Sequence, residues 1–148
     1  MPAVANSAAR HAPHLGRVLR ASDVVETPDG LRLCGAECAQ CGTRIFPAAG
    51  VCPSCNSEQM QRLVLAGEGT LYAFSTVHIA PAAWETPYTI GYVDLPENVR
   101  VFGKVAASVE LKPDARVSVR IEPATVTAAT AGTAAAGGPT WQYWFAPL

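Results

Sequence analysis

Two cysteine pairs of identical internal spacing carry the clearest chemistry in the chain. They are Cys38-Ala-Gln-Cys41-Gly42 and Cys52-Pro-Ser-Cys55, with ten residues between the pairs. Two residues between thiolates let both sulfurs reach one ion from a single tight turn, and Gly42 and Pro53 are residue types that permit such turns. Four thiolates complete a tetrahedron with no position left for water or substrate. Cys38, Cys41, Cys52 and Cys55 are therefore expected to hold one structural Zn2+. Iron, alone or in a cluster, would accept the same ligand set, and spacing alone does not separate the metals. Redox dithiols also use C-x2-C, but no thioredoxin-like βαβ pattern surrounds either pair. Cys34 is the spare: it is expected to be a partly buried free thiol, with competition for the Cys38 position as the alternative.

Other chemistry is sparse. Of three histidines, His11 and His14 lie in the N-terminal segment, and His78 stands near the end of an expected strand. His78 is the one histidine with a candidate functional setting, weighed against an ordinary structural hydrogen bond. There is no G-x-S-x-G, no G-x-G-x-x-G after a strand and no P-loop. Gly67-Glu68-Gly69 precedes a strand instead of a helix and reads as a turn. Trp84 sits in Ala80-Pro81-Ala82-Ala83-Trp84-Glu85-Thr86-Pro87, where it either anchors a partner, as large aromatics on loops do, or folds back to cap the core. No nucleophile or acid–base pair stands out, so the chain is expected not to be a catalyst by itself.

The elements that position these residues are mostly strands. Leu71 to Ile79, Thr89 to Leu95, Val99 to Val105 and Val117 to Ile121 read as strands by period-2 alternation or β-branched content, with Gly91 suggesting a bulge or bend. Turn signals fall at Pro28-Asp29-Gly30, Gly67-Glu68-Gly69, Pro96-Glu97-Asn98 and Lys112-Pro113-Asp114. Short strands so punctuated suggest a small barrel or sandwich. A short helix is expected over Leu15 to Val25, too short to be stable unless docked. Residues 124–139 are uncharged and low in complexity and read as a mobile loop. Trp141-Gln142-Tyr143-Trp144-Phe145 after it reads as a closing strand, or as a contact patch for another protein. The division is an arm at 1–30, a zinc ribbon at 31–62 and a barrel at 63–148.

Composition narrows the classes. Formal net charge is −1 in 148 residues, with lysine only at 104 and 112 and nine arginines spread along the chain. Phosphate contacts along a nucleic acid call for clustered Lys and Arg, which argues against that partner. No apolar run approaches the roughly 18 to 20 residues of a membrane span. The N-terminus lacks an apolar core for a secretory signal. Five cysteines confined to positions 34–55 suit metal in a reducing compartment better than a disulfide framework, so the protein is read as cytoplasmic.

With those residues in place, the chain resembles the zinc-ribbon/OB-fold proteins associated with acyl-CoA enzymes, a group long called a domain of unknown function. The resemblance runs from about Cys38 to Pro147. It is carried by Cys38-x2-Cys41-Gly42, Phe46-Pro47, Cys52-Pro53-x-Cys55, Gly67-x-Gly69-Thr70-Leu71-Tyr72-x-Phe74-Ser75, Pro87-Tyr88 to Val93-x-Leu95, and Val99-Arg100-Val101-x-Gly103. It implies a mostly β chain: an N-terminal helical arm, a rubredoxin-like zinc ribbon, then a five-stranded OB-fold barrel. It also implies a hetero-oligomer in which the chain is the accessory subunit of a thiolase-fold catalytic partner, with acyl-CoA at the shared interface and the catalytic Cys and His in the partner. A retro-aldolase built on the thiolase fold and a hot-dog enoyl-CoA hydratase are alternative partners. An OB-fold single-strand nucleic-acid binder using Tyr72, Phe74, Tyr88 and Tyr92 is the rival from another class. His78, Trp84, Tyr88, Trp141 and Trp144 are the residues expected to touch the partner or its acyl-CoA. Pro96-Glu97-Asn98 and the long 124–139 connection depart from the family pattern.

Overall fold

The computed structural model describes residues 19–82, 84–106, 110–124 and 140–148. A single 3₁₀ turn, Ala21–Asp23, precedes nine strands: Val24–Thr27 (β1), Gly30–Cys38 (β2), Arg44–Ile45 (β3), Met60–Val64 (β4), Glu68–Val77 (β5), Tyr88–Leu95 (β6), Val99–Val105 (β7), Arg116–Pro123 (β8) and Trp141–Pro147 (β9). β1 to β4 form one antiparallel sheet built on β2, and β5 to β9 close a barrel in the order β5-β6-β7-β9-β8. β7 and β9 meet in parallel at Val105 and Phe145, while the other barrel neighbours are antiparallel. That is a five-stranded Greek-key closure of the OB type, which leaves no free sheet edge.

Alternation decides which side chains fill the barrel. Along β7, Val99, Val101, Gly103 and Val105 point in, and Arg100 and Phe102 point out. β6 follows the same rule with Thr89, Gly91, Val93 and Leu95 inward. In β5 the phase changes: Leu71 pairs with Val93, but the next pair is Ala73 with Tyr92, so Tyr72 is the extra residue of a bulge. The bulge turns Tyr72 outward beside Ala73 and moves the inward set on to Phe74. Gly91, the expected bulge, is in regular register opposite Phe74 and Gly103. It is needed for closeness instead, since a Cβ there would lie 2.8 Å from the Ala73 carbonyl oxygen. Leu71, Val93, Val101, Val105, Val117 and Phe145 fill the centre of the barrel.

The expected helix over Leu15 to Val25 is not supported. Residues 15–18 lie outside the described residues, and beyond them Leu19 makes a single β-bridge to Trp141 while Val24 and Val25 belong to β1. Pairing accounts for the difference. Pro28-Asp29 turns the chain, Gly30 takes a φ of +108° that favours glycine, and Val24 comes to lie opposite Leu33. Adjacent β-branched valines favour that strand over a helix. Leu19 is fully buried and joins Leu33 and Leu65 in the core.

The ribbon sheet and the barrel are fastened together by named contacts. Phe46, just after β3, packs edge-on against Tyr143 of β9 with ring centroids 5.9 Å apart, and Tyr143 meets Phe145 in the same manner at 6.0 Å. Arg44 Nη1 donates to the Glu97 carbonyl in the β6–β7 turn at 3.1 Å. Glu97 Oε1 accepts the backbone N–H of Ala66, which links β4 to β5, at 3.0 Å. Glu97 Oε2 is buried without a hydrogen-bond partner among the described residues, a cost of about 1–3 kcal/mol that this clamp must outweigh.

Two substitutions separate the parts. Phe145→Ala is expected to destabilise the barrel by about 3–5 kcal/mol in urea unfolding. Gly35→Ala would drive a Cβ onto the Ile45 carbonyl oxygen across the β2–β3 pair. It is expected to loosen bound zinc, read as faster loss to a chelator, while the far-UV signature of the barrel persists.

Candidate metal centre

The two cysteine turns are built alike, hydrogen bond for hydrogen bond. In the first, Gly42 N–H donates to the Cys38 carbonyl at 2.9 Å and Cys38 N–H to the Thr43 carbonyl at 2.8 Å. In the second, Asn56 N–H donates to the Cys52 carbonyl at 3.0 Å and Cys52 N–H to the Ser57 carbonyl at 2.8 Å. The fourth residue after the leading cysteine has positive φ in both, +75° at Gly42 and +60° at Asn56. Glycine and asparagine are the residue types that enter that region most readily, which explains their places in the sequence. The leading cysteines are buried, Cys41 is exposed and Cys55 is half-buried, so the site lies at the edge of the ribbon.

The four sulfurs lie within 4.8 Å of one another. Cys38 Sγ is 3.6 Å from Cys55 Sγ, and Cys41 Sγ is 3.5 Å from Cys52 Sγ. A tetrahedral Zn–S₄ centre with bonds of about 2.3 Å has sulfurs about 3.8 Å apart, so the donor set fits the ion. The surroundings favour thiolates at three positions. The backbone N–H of Cys41 is the leading cause that holds Cys38 below the ordinary thiol range, the Thr43 hydroxyl does this for Cys41, and the N–H of Cys55 for Cys52. At Cys55 the N–H of Ser57 acts in the same direction, but burial and the three neighbouring sulfurs together push its thiol up to about 12. Bound Zn2+ supplies four metal–thiolate bonds and keeps no open coordination position.

Cys34 is not among the ligands. It is buried and free, and Arg62 Nε donates to its Sγ at 3.2 Å. The remaining expected residues are scattered. His78 is exposed just past β5. Trp84 is half-buried, with its ring 5.9 Å from that of Tyr88, the first residue of β6. Lys104 Nζ lies 6.0 Å from the Tyr88 ring centroid. Trp141 and Trp144 stand on β9, opposite Pro123 and Arg120. Trp141 also packs on the core, so it closes the barrel whatever else it touches. His11, His14 and all but the first residue of the 124–139 connection lie outside the described residues. Ala124 N–H donates to the Thr140 carbonyl at 2.9 Å at the base of that connection.

An aromatic group on the outer face of β5, β6 and β7 drew no separate attention in the sequence beyond its tyrosines. Tyr72, Tyr92 and Phe102 are all exposed, and the rings of Tyr92 and Phe102 lie 5.2 Å apart. Arg100 is centred 3.5 Å from the Tyr72 ring and holds Asp94 with both nitrogens of its fork, at 2.6 and 2.8 Å. Arg100 thus covers the face a base would stack on, and Asp94 neutralises its charge. The Arg100 hydrogen bond is the main cause that holds the Asp94 carboxyl below its usual range.

The description "ChsH2, rubredoxin-like zinc ribbon domain" matches residues 31–61, and "ChsH2, C-terminal OB-fold domain" matches residues 64–122. Together the two span well over half of the chain. Among curated proteins, the chain is 43% identical over 86 residues to the benzoylsuccinyl-CoA thiolase subunit BbsA of Thauera aromatica, covering 56% of this chain and 60% of that one. It is 35% identical over 94 residues to a DUF35 domain-containing scaffold protein of Methanocaldococcus jannaschii, covering 61% and 64%. The chain therefore matches about three fifths of the length of these relatives. Among solved structures it is similar to a chain of the "Ltp2-ChsH2(DUF35) aldolase", with a TM-score of 0.58, 25% identity, and coverage of 78% of this chain and 84% of that one.

Replacing any one of Cys38, Cys41, Cys52 or Cys55 by serine is expected to reduce bound zinc well below one per chain and to raise amide exchange through residues 38–60. Cys34→Ser is expected to retain one zinc, as read by elemental analysis. For Asp94, a folded-state pKa below the unfolded value of about 3.9 contributes stability above about pH 4 that is lost as pH falls through the folded value. Both partners are more than two-fifths exposed, so Asp94→Asn should cost about 1 kcal/mol or less at pH 7. The variant and the parent should converge in acid, as measured by urea midpoints across pH 2 to 7.

Proposed function

Because the chain belongs to the ChsH2-type zinc-ribbon/OB-fold family, we propose that it is a non-catalytic accessory subunit of a thiolase-type acyl-CoA C-acyltransferase complex. The observation that carries this reading is the closed site. The one metal-ligating cluster among the described residues is saturated by four sulfurs, so the ion organises the ribbon and does not meet substrate. Thiolase chemistry needs a nucleophilic thiolate with a base at hand. Cys34 is buried against Arg62, and the other cysteines are zinc ligands, so the nucleophile belongs to the partner.

Similarity to the thiolase subunit BbsA, at 43% identity, supports the thiolase partner. A specific observation favours a second reading: the structural match to a chain of the Ltp2-ChsH2 aldolase extends over 78% of this chain. In that reading the partner is a retro-aldolase on the same fold, and this chain has the same supporting role. His78, Trp84 and Tyr88, at one end of β5 and β6, and Trp141 and Trp144 on β9 are the proposed contacts with the partner or its acyl-CoA. Trp84 is the strongest of them, being a loop tryptophan only half covered by its own chain. The absence of any disulfide among five cysteines suits a reducing cytoplasm.

The test is recovery of the tagged chain from native lysate. A thiolase-fold protein should co-purify in fixed stoichiometry, and Trp84→Ala should lower its yield by about tenfold, the cost of a modest hot spot. Thiolysis, aldol cleavage and hydration assayed separately on the recovered complex then assign the chemistry. A monomer that brings down nothing with the tag at either end would refute the accessory role.

A further inference from the structure

A cleft of about 520 Å³ lies between the ribbon sheet and the outer face of β8, lined by none of the zinc ligands; Arg120 in its wall pairs across the sheet with Trp144. Arg32 of β2 borders it on one side, and Arg116, Ser118 and Arg120 of β8 border it on the other. Positions 116, 118 and 120 alternate with the inward Val117 and Val119, so period-2 geometry alone brings Arg116 and Arg120 to one face. Ser118 between them is buried and donates its hydroxyl to the Ala146 carbonyl at 3.3 Å, forming part of the floor. Three of the chain's nine arginines thus converge on one concavity from segments more than eighty residues apart in sequence.

The Arg32 head is held there by the fold. A Cβ on Gly67 would come within 2.8 Å of the Arg32 guanidinium carbon, so it is the glycine that lets that head lie against the backbone of the β4–β5 link. Arg32 bends back to donate to the Leu31 carbonyl at 3.1 Å. Among the described residues, neither Arg32 nor Arg120 has a carboxylate within ion-pair distance. Arg116 has one, Glu68, at 2.8 Å, but the two side chains are 64% and 53% exposed. So exposed a pair contributes little and is readily exchanged for a stronger anion. Three guanidinium groups against the Glu68 carboxylate give the side chains that line the cleft a net +2, in a chain whose formal net charge is −1.

We propose that this cleft binds a phosphate-rich ligand, of the class presented by the 3′-phosphorylated ADP end of a CoA thioester. Planar guanidinium forks match phosphate oxygens two at a time, which point-like lysines do not. The cavity volume falls in the range of about 300–1,000 Å³ usual for small-molecule sites. The assignment to CoA rests on the acyl-CoA reading above, whereas the polyphosphate site stands on the cleft alone.

The experiment is calorimetric titration of the full, zinc-loaded chain at low salt with 3′-phosphoadenosine 5′-diphosphate, CoA, ATP and inorganic pyrophosphate. One ligand per chain is expected, with CoA and its nucleotide fragment bound more tightly than pyrophosphate. Loss of one charged hydrogen-bond partner should weaken binding about tenfold or more in Arg120→Gln and in Arg32→Gln. Glu68→Gln, which frees Arg116, should tighten it. Lys112→Gln removes the same charge outside the cleft and should change affinity less than about twofold, as screening of distant charges requires. Retained far-UV and zinc signals identify folded variants, and Arg120, being exposed, serves as the test position should Arg32 variants fail to fold. Binding of pyrophosphate or ATP with none of CoA would overturn the CoA assignment and keep the site. No binding of any of the four, or an equal loss in Lys112→Gln, would overturn the site itself. Either result leaves the pull-down test of the accessory role untouched.

Discussion

From Ala39 to Gln59 only Cys52 is fully buried, and a stretch with so little apolar surface removed from water cannot offset the entropy of ordering its backbone. What closes the deficit is the convergence of four sulfurs within 4.8 Å of one another. Metal–thiolate bonding in sites of this kind amounts to about 10–16 kcal/mol at neutral pH. That is as large as the whole stability of an ordinary domain. The paired turns, with matching hydrogen bonds and positive φ at Gly42 and Asn56, are the backbone that this convergence requires.

The consequences reach into the barrel. β3 follows the first cysteine turn, and it carries Arg44 and leads to Phe46, the side chains that grip the Glu97 carbonyl and the Tyr143 ring. The first cysteine turn thus leads into contacts that hold the ribbon against the barrel, while Arg32 and Gly67 form one wall of the arginine cleft. A chain so organised offers a recess lined by three arginines. Four sulfurs set to saturate one metal and a buried spare thiol fit the supporting role proposed above.

Much of this was legible in the sequence, for identifiable reasons. Thiolate spacing is a local property, so Cys38, Cys41, Cys52 and Cys55 could be assigned from residue numbers alone. Alternation is also local, and it found the barrel strands from Leu71 to Phe145. Features that depend on pairing were less accessible. The bulge falls at Tyr72 and not at Gly91, because it is set by register against β6, while Gly91 answers a contact with Ala73 across the sheet. Val24 and Val25 extend a sheet because Leu33 and Arg32 lie opposite them, which a reading by helical period overlooked. The arginine cleft had no sequence signal, since positions 32 and 116 to 120 meet only after the barrel has closed. At Arg116 and Arg120 the i, i+4 spacing on a strand was visible but had no partner to give it meaning.

The central claim is that this chain supports chemistry it does not perform. Reconstitution from purified subunits tests it most directly: turnover of an acyl-CoA substrate by the partner alone, by this chain alone, and by the two together, with the partner's nucleophile intact or replaced. The account predicts full turnover only with both subunits and the nucleophile intact. It predicts none from this chain alone. Turnover by the zinc-loaded chain alone, or turnover that survives replacement of the partner's nucleophile, would contradict it.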